Sequence, residues 1–275
     1  MIIAIASGKG GTGKTTVALA LAAVGNGAVR LLDCDVEEPN CHLFFQTEVE
    51  RSESVTVPIP VADEARCIGC GQCTQICCYN AIAVLEKHIL IFPELCHSCG
   101  GCIRVCASRA LREEAKEIGS IAFRRQGNVE LASGQLTIGH AMSPPLIRAV
   151  KKQIAANGDT IIDCPPGTSC PVVTAVRGAD FVILVTEPTP FGLHDLTLAV
   201  ATVRELSLKF GVILNRSDTG DRSIHEYCRE ENIPLLLEIP DQFKIAEAYS
   251  RGVGLLEAAP ELKPGFDKVW TRIKQ

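Results

Sequence analysis

A glycine-rich loop close to the first residue sets the strongest constraint on the fold. Residues 8–15 read GKGGTGKT, which fits the pattern G-x-x-x-x-G-K followed by Ser or Thr. An apolar strand at 2–7 precedes the loop, and an Ala/Leu-rich helix is predicted at 14–24. Such a loop directs backbone N–H groups and the positive end of the helix at phosphate oxygens. We therefore predict a nucleotide site, with Lys14 on the β- and γ-phosphates and Thr15 on Mg²⁺.

Alternating strand and helix patterns along the rest of the chain predict an α/β fold. A strand, a glycine loop, a helix and a strand form a βαβ unit, which requires a parallel sheet. Uninterrupted apolar runs such as 181–185 are typical of strands that helices cover on both faces. Further strands are predicted at 28–35, 160–163, 181–186, 210–215 and 233–239, and helices at 145–156 and 193–206. The predicted fold is a mostly parallel P-loop NTPase sheet flanked by helices.

Fourteen cysteines are present, and eight of them form two runs that repeat 29 residues apart. Each run has the spacing C-x2-C-x2-C-x3-C of bacterial ferredoxins, in which the fourth cysteine of one run ligates the cluster of the other. Zinc and disulfides are the alternatives, but zinc sites use paired C-x2-C with a longer gap. We predict two 4Fe–4S clusters, one held by Cys67, Cys70, Cys73 and Cys106, the other by Cys77, Cys96, Cys99 and Cys102.

The cysteine runs interrupt the α/β pattern, so the P-loop domain is predicted to be discontinuous. Its parts are 1–60 and 113–275, and the small α+β ferredoxin-like insert occupies 61–112. A hairpin at 118–138 with its turn at 126–128 is expected after the insert. Proline usually follows the fourth cysteine of such a run, whereas Cys78 and Ala107 stand here, so Cys78 is a further candidate ligand.

Composition excludes several function classes. The net charge of −5 and an aromatic content of 5% leave no basic, base-stacking surface for nucleic acid. No signal segment is visible and no apolar run reaches the length of a membrane span, so we expect a cytoplasmic protein without stable membrane insertion. The apolar spacing at 266–273 predicts a helix that packs on the domain rather than on a membrane.

The loop sequence resembles one particular branch of P-loop proteins. Lys9-Gly10-Gly11 is similar to the deviant Walker A loop of the MinD/Mrp/ParA ATPases, a family that includes the nitrogenase iron protein. In that family an early lysine reaches the nucleotide of a dimer partner, and Lys9 matches its position. The resemblance therefore implies a nucleotide-dependent homodimer.

Other family landmarks follow in order along the chain. The stretch 31–35 resembles the strand that ends in the switch I aspartates, and 160–163 resembles Walker B. The resemblance implies that Asp35 orients water, that Asp33 and Asp163 serve Mg²⁺, and that Asn215 reads the adenine. The implied catalytic residues are Lys9, Lys14, Asp35 and Asp163. The full candidate set around ATP and Mg²⁺ is Gly8, Lys9, Gly10, Gly11, Thr12, Gly13, Lys14, Thr15, Thr16, Asp33, Asp35, Asp163, Gly167, Asn215, Arg216 and Pro240.

The combination of motifs resembles MinD-like ATPases that carry an inserted ferredoxin domain, and it leaves three functional hypotheses. The first is an ATPase that gates electron transfer to a redox or metalloprotein partner. The second is an assembly or transfer factor for iron–sulfur or other metal centres. The third is a regulatory or positioning ATPase whose clusters are structural or sensing. Cys170, at an offset similar to that of a cluster cysteine in the nitrogenase iron protein, leaves a subunit-bridging third cluster as an open alternative.

Overall fold

The computed structural model describes residues 1–140 and 142–275, which divide into two compact units. The first comprises Met1–Glu53, Ile121–Gln135 and Ile147–Gln275, and the second comprises Ser54–Ser120 and Leu136–Leu146. The boundaries of these units differ from the predicted domain boundaries, which enclose 61–112. The reason is that two long strands, Arg51–Ala62 and Leu111–Gln126, each begin in one unit and end in the other.

The secondary structure alternates between strands and helices outside the cysteine-rich segment. The strands are β1 (Ile2–Ala6), β2 (Val29–Asp33), β3 (Arg51–Ala62), β4 (Ile82–Leu85), β5 (His88–Ile91), β6 (Leu111–Gln126), β7 (Val129–Leu136), β8 (Asp159–Asp163), β9 (Phe181–Thr186), β10 (Phe210–Asn215) and β11 (Leu235–Ile239). The helices are α1 (Lys14–Val24), α2 (Gln72–Ile76), α3 (Gly101–Arg104), α4 (Pro144–Lys151), α5 (Cys170–Val176), α6 (Pro190–Glu205), α7 (Ser223–Glu230), α8 (Phe243–Ser250), α9 (Leu255–Ala258) and α10 (Lys263–Ile273).

The central sheet of the first unit is parallel, as the strand–helix alternation predicts. Its order is β11-β10-β9-β1-β8-β2-β7, and each of these neighbouring pairs is parallel. The register sets Asp33 directly beside Asp163, at the carboxyl ends of β2 and β8. Open α/β sheets bind their ligands at this edge. The sheet therefore brings the two acidic strand ends together where the loop before α1 begins.

The core of the first unit lies between the sheet and its helices. Buried side chains of α1 and of the strands pack against α10, which contributes Phe266, Val269, Trp270 and Ile273. The expectation that the last helix packs on the domain is therefore confirmed. Nowhere in 1–140 and 142–275 is there a helix both long and apolar enough to cross a bilayer.

The second unit is built from short elements. β4 and β5 form an antiparallel hairpin, and α2 and α3 are each a single turn or little more. Gly71 and Gly100 precede these helices with φ near 70° in both, a left-handed conformation that favours glycine. Its buried core is small and consists of Cys73, Ile82, Ile89, Ala110 and Leu111.

Candidate functional site

A cavity of about 370 Å³ lies beside the glycine-rich loop. Its walls contain ten of the predicted ATP and Mg²⁺ residues, namely Gly10, Gly11, Gly13, Lys14, Thr15, Thr16, Asp35, Asn215, Arg216 and Pro240. The remaining predicted residues, Gly8, Lys9, Thr12, Asp33, Asp163 and Gly167, are not among the lining residues. Sequence reasoning missed the contribution of α8, which supplies Ile245 and Tyr249. No motif marks these side chains, because tertiary packing alone brings α8 to the cavity.

The loop holds its phosphate-binding shape through its glycines and its contacts with the sheet. Gly13 has φ 95° and precedes the first residue of α1, so a side chain at this position would be strained. The Thr15 hydroxyl donates a hydrogen bond to Asp163 Oδ2 at 2.7 Å. Lys14 is only 6% exposed. The loop thus presents a buried cation and a hydroxyl next to the strand-end carboxylates.

Three carboxyl groups lie at this edge of the sheet, and burial raises the pKa of each. The pKa of Asp33 lies well above its usual range because of burial and the neighbouring Asp163. Burial, with Asp163 nearby, raises the pKa of Asp35 to about 6. Burial also raises the pKa of Asp163, against the opposing effects of Thr15 and Lys14. Repulsion among buried carboxylates falls when a cation binds between them.

The residues present fit a divalent cation. Asp33 Oδ1 and Asp163 Oδ1 are buried and have no hydrogen-bond partner within the described part of the chain. Burying a carboxylate oxygen without a partner costs free energy. Mg²⁺ prefers such oxygens as ligands, directly or through water, and would supply the missing partner. Asp33, Asp163 and Thr15 would therefore hold Mg²⁺.

Lys9 is engaged within its own chain. Its Nζ lies 2.9 Å from Glu187 Oε1, and Arg216 Nη1 lies 3.0 Å from Glu187 Oε2. Glu187 is only 8% exposed, so two cations share one nearly buried carboxylate. Sequence reasoning gave Glu187 no role, although it follows β9 at the same edge as the loop. The lysine expected to reach a dimer partner must first leave this carboxylate.

Two further predicted residues make contacts with the loop and its strand. The Asn215 side-chain amide donates to the Thr12 carbonyl at 2.9 Å, which places it at the cavity wall behind the loop. The Gly167 N–H donates to the Ser7 carbonyl at 3.0 Å. This bond ties the Gly167 N–H to the residue that precedes the glycine-rich loop.

Each predicted foursome of cysteines surrounds its own small cavity in the second unit. One cavity is lined by Cys67, Cys70, Cys73 and Cys106. The other is lined by Cys77, Cys96, Cys99 and Cys102. The fourth cysteine of each run thus lies with the first three of the other run.

The cysteines of both sets are free thiols, and their spacing is wider than a single ion requires. A tetrahedral zinc with Zn–S bonds of about 2.3 Å holds its sulfurs roughly 3.8 Å apart. Yet within 1–140 and 142–275 no three of these thiols lie within 4.8 Å of one another. Backbone N–H groups of Ala81 and Ala110 donate to the sulfurs of Cys77 and Cys106 at 3.3 and 3.2 Å.

The sulfur environment of Cys106 favours the thiolate. Although burial opposes ionisation, hydrogen bonds from Ser108 and the Ala110 N–H lower the pKa of Cys106 below its ordinary value. Thiolates are the form that binds metal. Cys70 and Cys99 are exposed, so each cavity opens to the surface.

The remaining cysteines differ in exposure. Cys34, Cys41, Cys164 and Cys228 are buried, and Cys78 and Cys170 are exposed. Cys34 and Cys164 follow the paired aspartates of β2 and β8. Burial, with Cys164 and Asp33 nearby, raises the pKa of the Cys34 thiol. These two thiols therefore resist ionisation.

Comparisons with known proteins agree with the α/β fold and its glycine-rich loop. An uncharacterized protein of Methanocaldococcus jannaschii is 29% identical over 262 residues, which cover 94% of this chain and 92% of that protein. An iron-sulfur cluster carrier protein of Rickettsia bellii is 25% identical over 93% of this chain and 66% of its own length. The fold is similar to that of the septum site-determining protein MinD from Pyrococcus horikoshii, solved with Mg-ADP, at 22% identity. The TM-score is 0.61, with coverage of 100% of this chain and 96% of that one.

A family model describes most of the chain. The CobQ/CobB/MinD/ParA nucleotide binding domain matches residues 3–256, which include the loop, both aspartate-bearing strand ends and the cysteine runs. This chain therefore belongs to the CobQ/CobB/MinD/ParA nucleotide-binding family.

Proposed function

We propose that this protein is an ATP-binding and ATP-hydrolysing dimeric switch coupled to a two-cluster ferredoxin module, and that it transfers electrons to a redox or metalloprotein partner. The proposed insert corresponds to 61–112, within the cysteine-rich unit. The proposed cofactors are ATP, Mg²⁺ and two 4Fe–4S clusters. Slow hydrolysis that a partner stimulates is part of the proposal.

The nucleotide half of the proposal is supported by the arrangement of charges around the cavity. Lys14, Asn215, Arg216 and Pro240 all line the cavity, which supports Lys14 as the contact to the β- and γ-phosphates and the other three as contacts to the adenine. Mg²⁺, when bound, neutralises phosphate charge. With a pKa of about 6, Asp35 is ionised at neutral pH and can orient the attacking water.

The proposed nucleotide-dependent dimer is supported by the contacts of Lys9. Ion pairs of partly exposed lysines and arginines are worth up to about 1 kcal/mol each. The Lys9–Glu187 pair is therefore weak enough for nucleotide binding to break. Arg216 lines the cavity and shares Glu187 with Lys9. A nucleotide that contacts Arg216 therefore acts on the same carboxylate that retains Lys9.

The cluster half of the proposal is supported by the grouping of cysteines. Four thiols around each cavity, with spacing too wide for one ion, suit a cubane that holds its ligands farther apart. Backbone donors to sulfur are typical tuning contacts of such clusters. Because Cys70 and Cys99 are exposed, the distance for electron transfer from each cluster to a docked partner would be short.

The observation that carries the coupling is the course of a single hairpin. β6 begins at Leu111, shortly after the last cluster cysteine, and leads through a two-residue turn into β7. The Ser133 hydroxyl of β7 donates to Asp33 Oδ2 at 3.3 Å. One hairpin and one hydrogen bond therefore connect the cysteine runs to a carboxylate of the proposed Mg²⁺ site.

The test begins with anaerobic reconstitution of the full chain. We expect about eight irons and eight sulfides per chain, the content of two 4Fe–4S clusters. We also expect ATP hydrolysis, and a dimer that forms only with ATP in size measurements. Lys14→Ala should weaken nucleotide binding about a hundredfold and leave iron content unchanged. A chain that binds zinc instead of iron, or hydrolyses no ATP with any partner preparation, contradicts the proposal.

A second candidate function is assembly or transfer of iron–sulfur centres. The relative named as an iron-sulfur cluster carrier favours it, as does the exposure of Cys70 and Cys99. Incubation with an apo-ferredoxin distinguishes the two functions. Loss of iron from this chain to the acceptor supports transfer, and reduction of a holo-acceptor with full retention of iron supports electron transfer.

A further inference from the structure

A buried thiol lies within the carboxylate pair of the nucleotide site. Cys41 begins a short 3₁₀ turn after switch I and is fully buried. Its backbone N–H donates to Asp33 Oδ2 at 3.0 Å, and its Sγ lies 3.4 Å from Asp163 Oδ2. Cys41 is thus held in place by both aspartates.

The spacing of these three side chains matches that of ligands around one ion. A ligand atom from each of Asp33, Cys41 and Asp163 lies within 4.8 Å of the other two. A tetrahedral ion with metal–oxygen bonds of about 2.1 Å and metal–sulfur bonds of about 2.3 Å sets its oxygen and sulfur ligands roughly 3.6 Å apart. The observed distance of 3.4 Å between Cys41 Sγ and Asp163 Oδ2 is close to that value.

An independent observation indicates that the carboxylates of this site lack hydrogen-bond donors. One oxygen of Asp33 and one of Asp163 are fully buried without a hydrogen-bond donor among the described residues. Lys14 offsets the charge of Asp163, but it is not a hydrogen-bond partner of either buried oxygen. Two orphaned carboxylate oxygens beside a thiol form an incomplete ligand set for a cation.

The donor set determines which cations prefer it. Mg²⁺ takes oxygen ligands and gains nothing from sulfur, whereas Fe²⁺, Zn²⁺ and the heavier congener of zinc, Cd²⁺, bind thiolate strongly. We propose that Asp33, Cys41 and Asp163 form a binding site for a thiophilic divalent cation, in competition with the Mg²⁺ of the nucleotide. On binding, the S–H bond of Cys41 breaks, a sulfur–metal bond forms, and the proton passes to solvent.

Occupation by such a cation has a defined consequence for the protein. It uses both aspartates on which Mg²⁺ depends and fixes Cys41, six residues beyond Asp35, against β8. The nucleotide site is then blocked, so the protein responds to free thiophilic metal. The inference rests on the geometry of these three residues and requires neither electron transfer nor cluster formation.

The test is ¹¹³Cd NMR of the full, reconstituted chain titrated with Cd²⁺ alone. We expect a resonance at the chemical shift of mixed oxygen and sulfur ligation, well separated from sulfur-only sites at any cysteine without a cluster. Cys41→Ser should remove it. Cys228→Ser, a buried cysteine on α7 away from the cavity, is the matched control and should retain it.

Competition in the wild-type protein tests the same site without any substitution. Adding Mg²⁺ with ADP should displace Cd²⁺ from this site and abolish its resonance. A mixed-ligand resonance that persists in Cys41→Ser or survives saturating Mg·ADP overturns the proposal, and so does its absence from the folded wild type. If Cys41→Ser does not fold, the competition result decides.

Discussion

The loop before α1 and the cysteine runs are each proposed to hold an inorganic group, a phosphate chain in one case and iron–sulfur clusters in the other, but the two regions are supported very differently. The loop rests on a parallel sheet whose core joins α1, the strands and α10. The cysteine runs rest on a core of Cys73, Ile82, Ile89, Ala110 and Leu111. A core of that size stabilises little by itself, and small domains of this kind depend on their metal.

The two regions differ in whether they can form without a ligand. The four cysteines Cys67, Cys77, Cys102 and Cys106 are half-buried and pack directly on the small core of the second unit. These cysteines are therefore part of the packing of the second unit, whereas the cavity beside the loop is lined by side chains that the first unit already holds in place. We expect the loop region to be preformed and the cysteine region to be made by its clusters.

Cluster removal should have the largest effect. Chelation of iron from the reconstituted protein should make the segment between Asp63 and Ala110 sensitive to protease, because its remaining core cannot offset the entropy of ordering the chain. Nucleotide binding should survive in the same sample. Cleavage sites mapped by mass spectrometry check this, and equal protease resistance with and without iron contradicts it.

Lys14→Ala should have the next largest effect, confined to the other region. Loss of a buried cation that contacts phosphate costs about 3 kcal/mol, which is roughly a hundredfold in nucleotide affinity. Calorimetric titration with Mg·ADP measures it. Lys152→Ala, on the surface after α4, is the control and should leave the affinity unchanged. A parallel loss of iron from Lys14→Ala would show that the two regions are not independently formed.

Glu187→Gln should have a smaller effect, and it should favour dimer formation rather than weaken an interaction. Releasing Lys9 and Arg216 removes ion pairs worth up to about 1 kcal/mol each, so the ATP-dependent dimer should form about fivefold more readily. Sedimentation across a range of protein concentrations measures this. Glu231→Gln, which breaks the exposed pair with Arg204, is the matched control. Weaker dimerisation in Glu187→Gln would mean that Glu187 supports the closed state rather than restraining Lys9.

Asp35→Asn should give the smallest change in stability, seen as a loss of pH dependence, in addition to the loss of ATP hydrolysis expected from its proposed role in orienting water. Because the pKa of Asp35 is raised from 3.8 to about 6, the folded protein retains a proton that the unfolded chain has lost in that window. Stability therefore falls as pH rises through the window, by about 1 to 2 kcal/mol after solvent screening. Asp35→Asn should flatten this fall in urea unfolding. An unchanged pH slope would place the pKa of Asp35 in its usual range.

Much of the sheet was predictable because its strands are uninterrupted apolar runs. β9 and β10 have the predicted bounds, and α1 begins and ends where the Ala/Leu pattern does. β3 was not predicted, since Pro58 and Pro60 lie within it and are typical of edge strands. It is in fact the terminal strand in the sheet order.

The site was predictable only where a motif spells out the chemistry. The glycine loop and the cysteine spacing predict the residues of their own sites, and each set of four cysteines lines one cavity. Glu187 and Cys41 were missed as site residues because each acquires its neighbours through the sheet, from segments far apart in sequence. Asp163, for example, meets Cys41 across 122 residues.

The most direct test of the account is a redox titration of both clusters by EPR, with and without a non-hydrolysable Mg·ATP analogue. Since coupling is reciprocal, a tenfold change in nucleotide affinity on reduction corresponds to a potential shift of about 60 mV for a one-electron step. We predict a shift of that order in the wild type and none in Lys14→Ala. Identical potentials with and without the analogue, in protein that binds it, would contradict the coupling between the two regions.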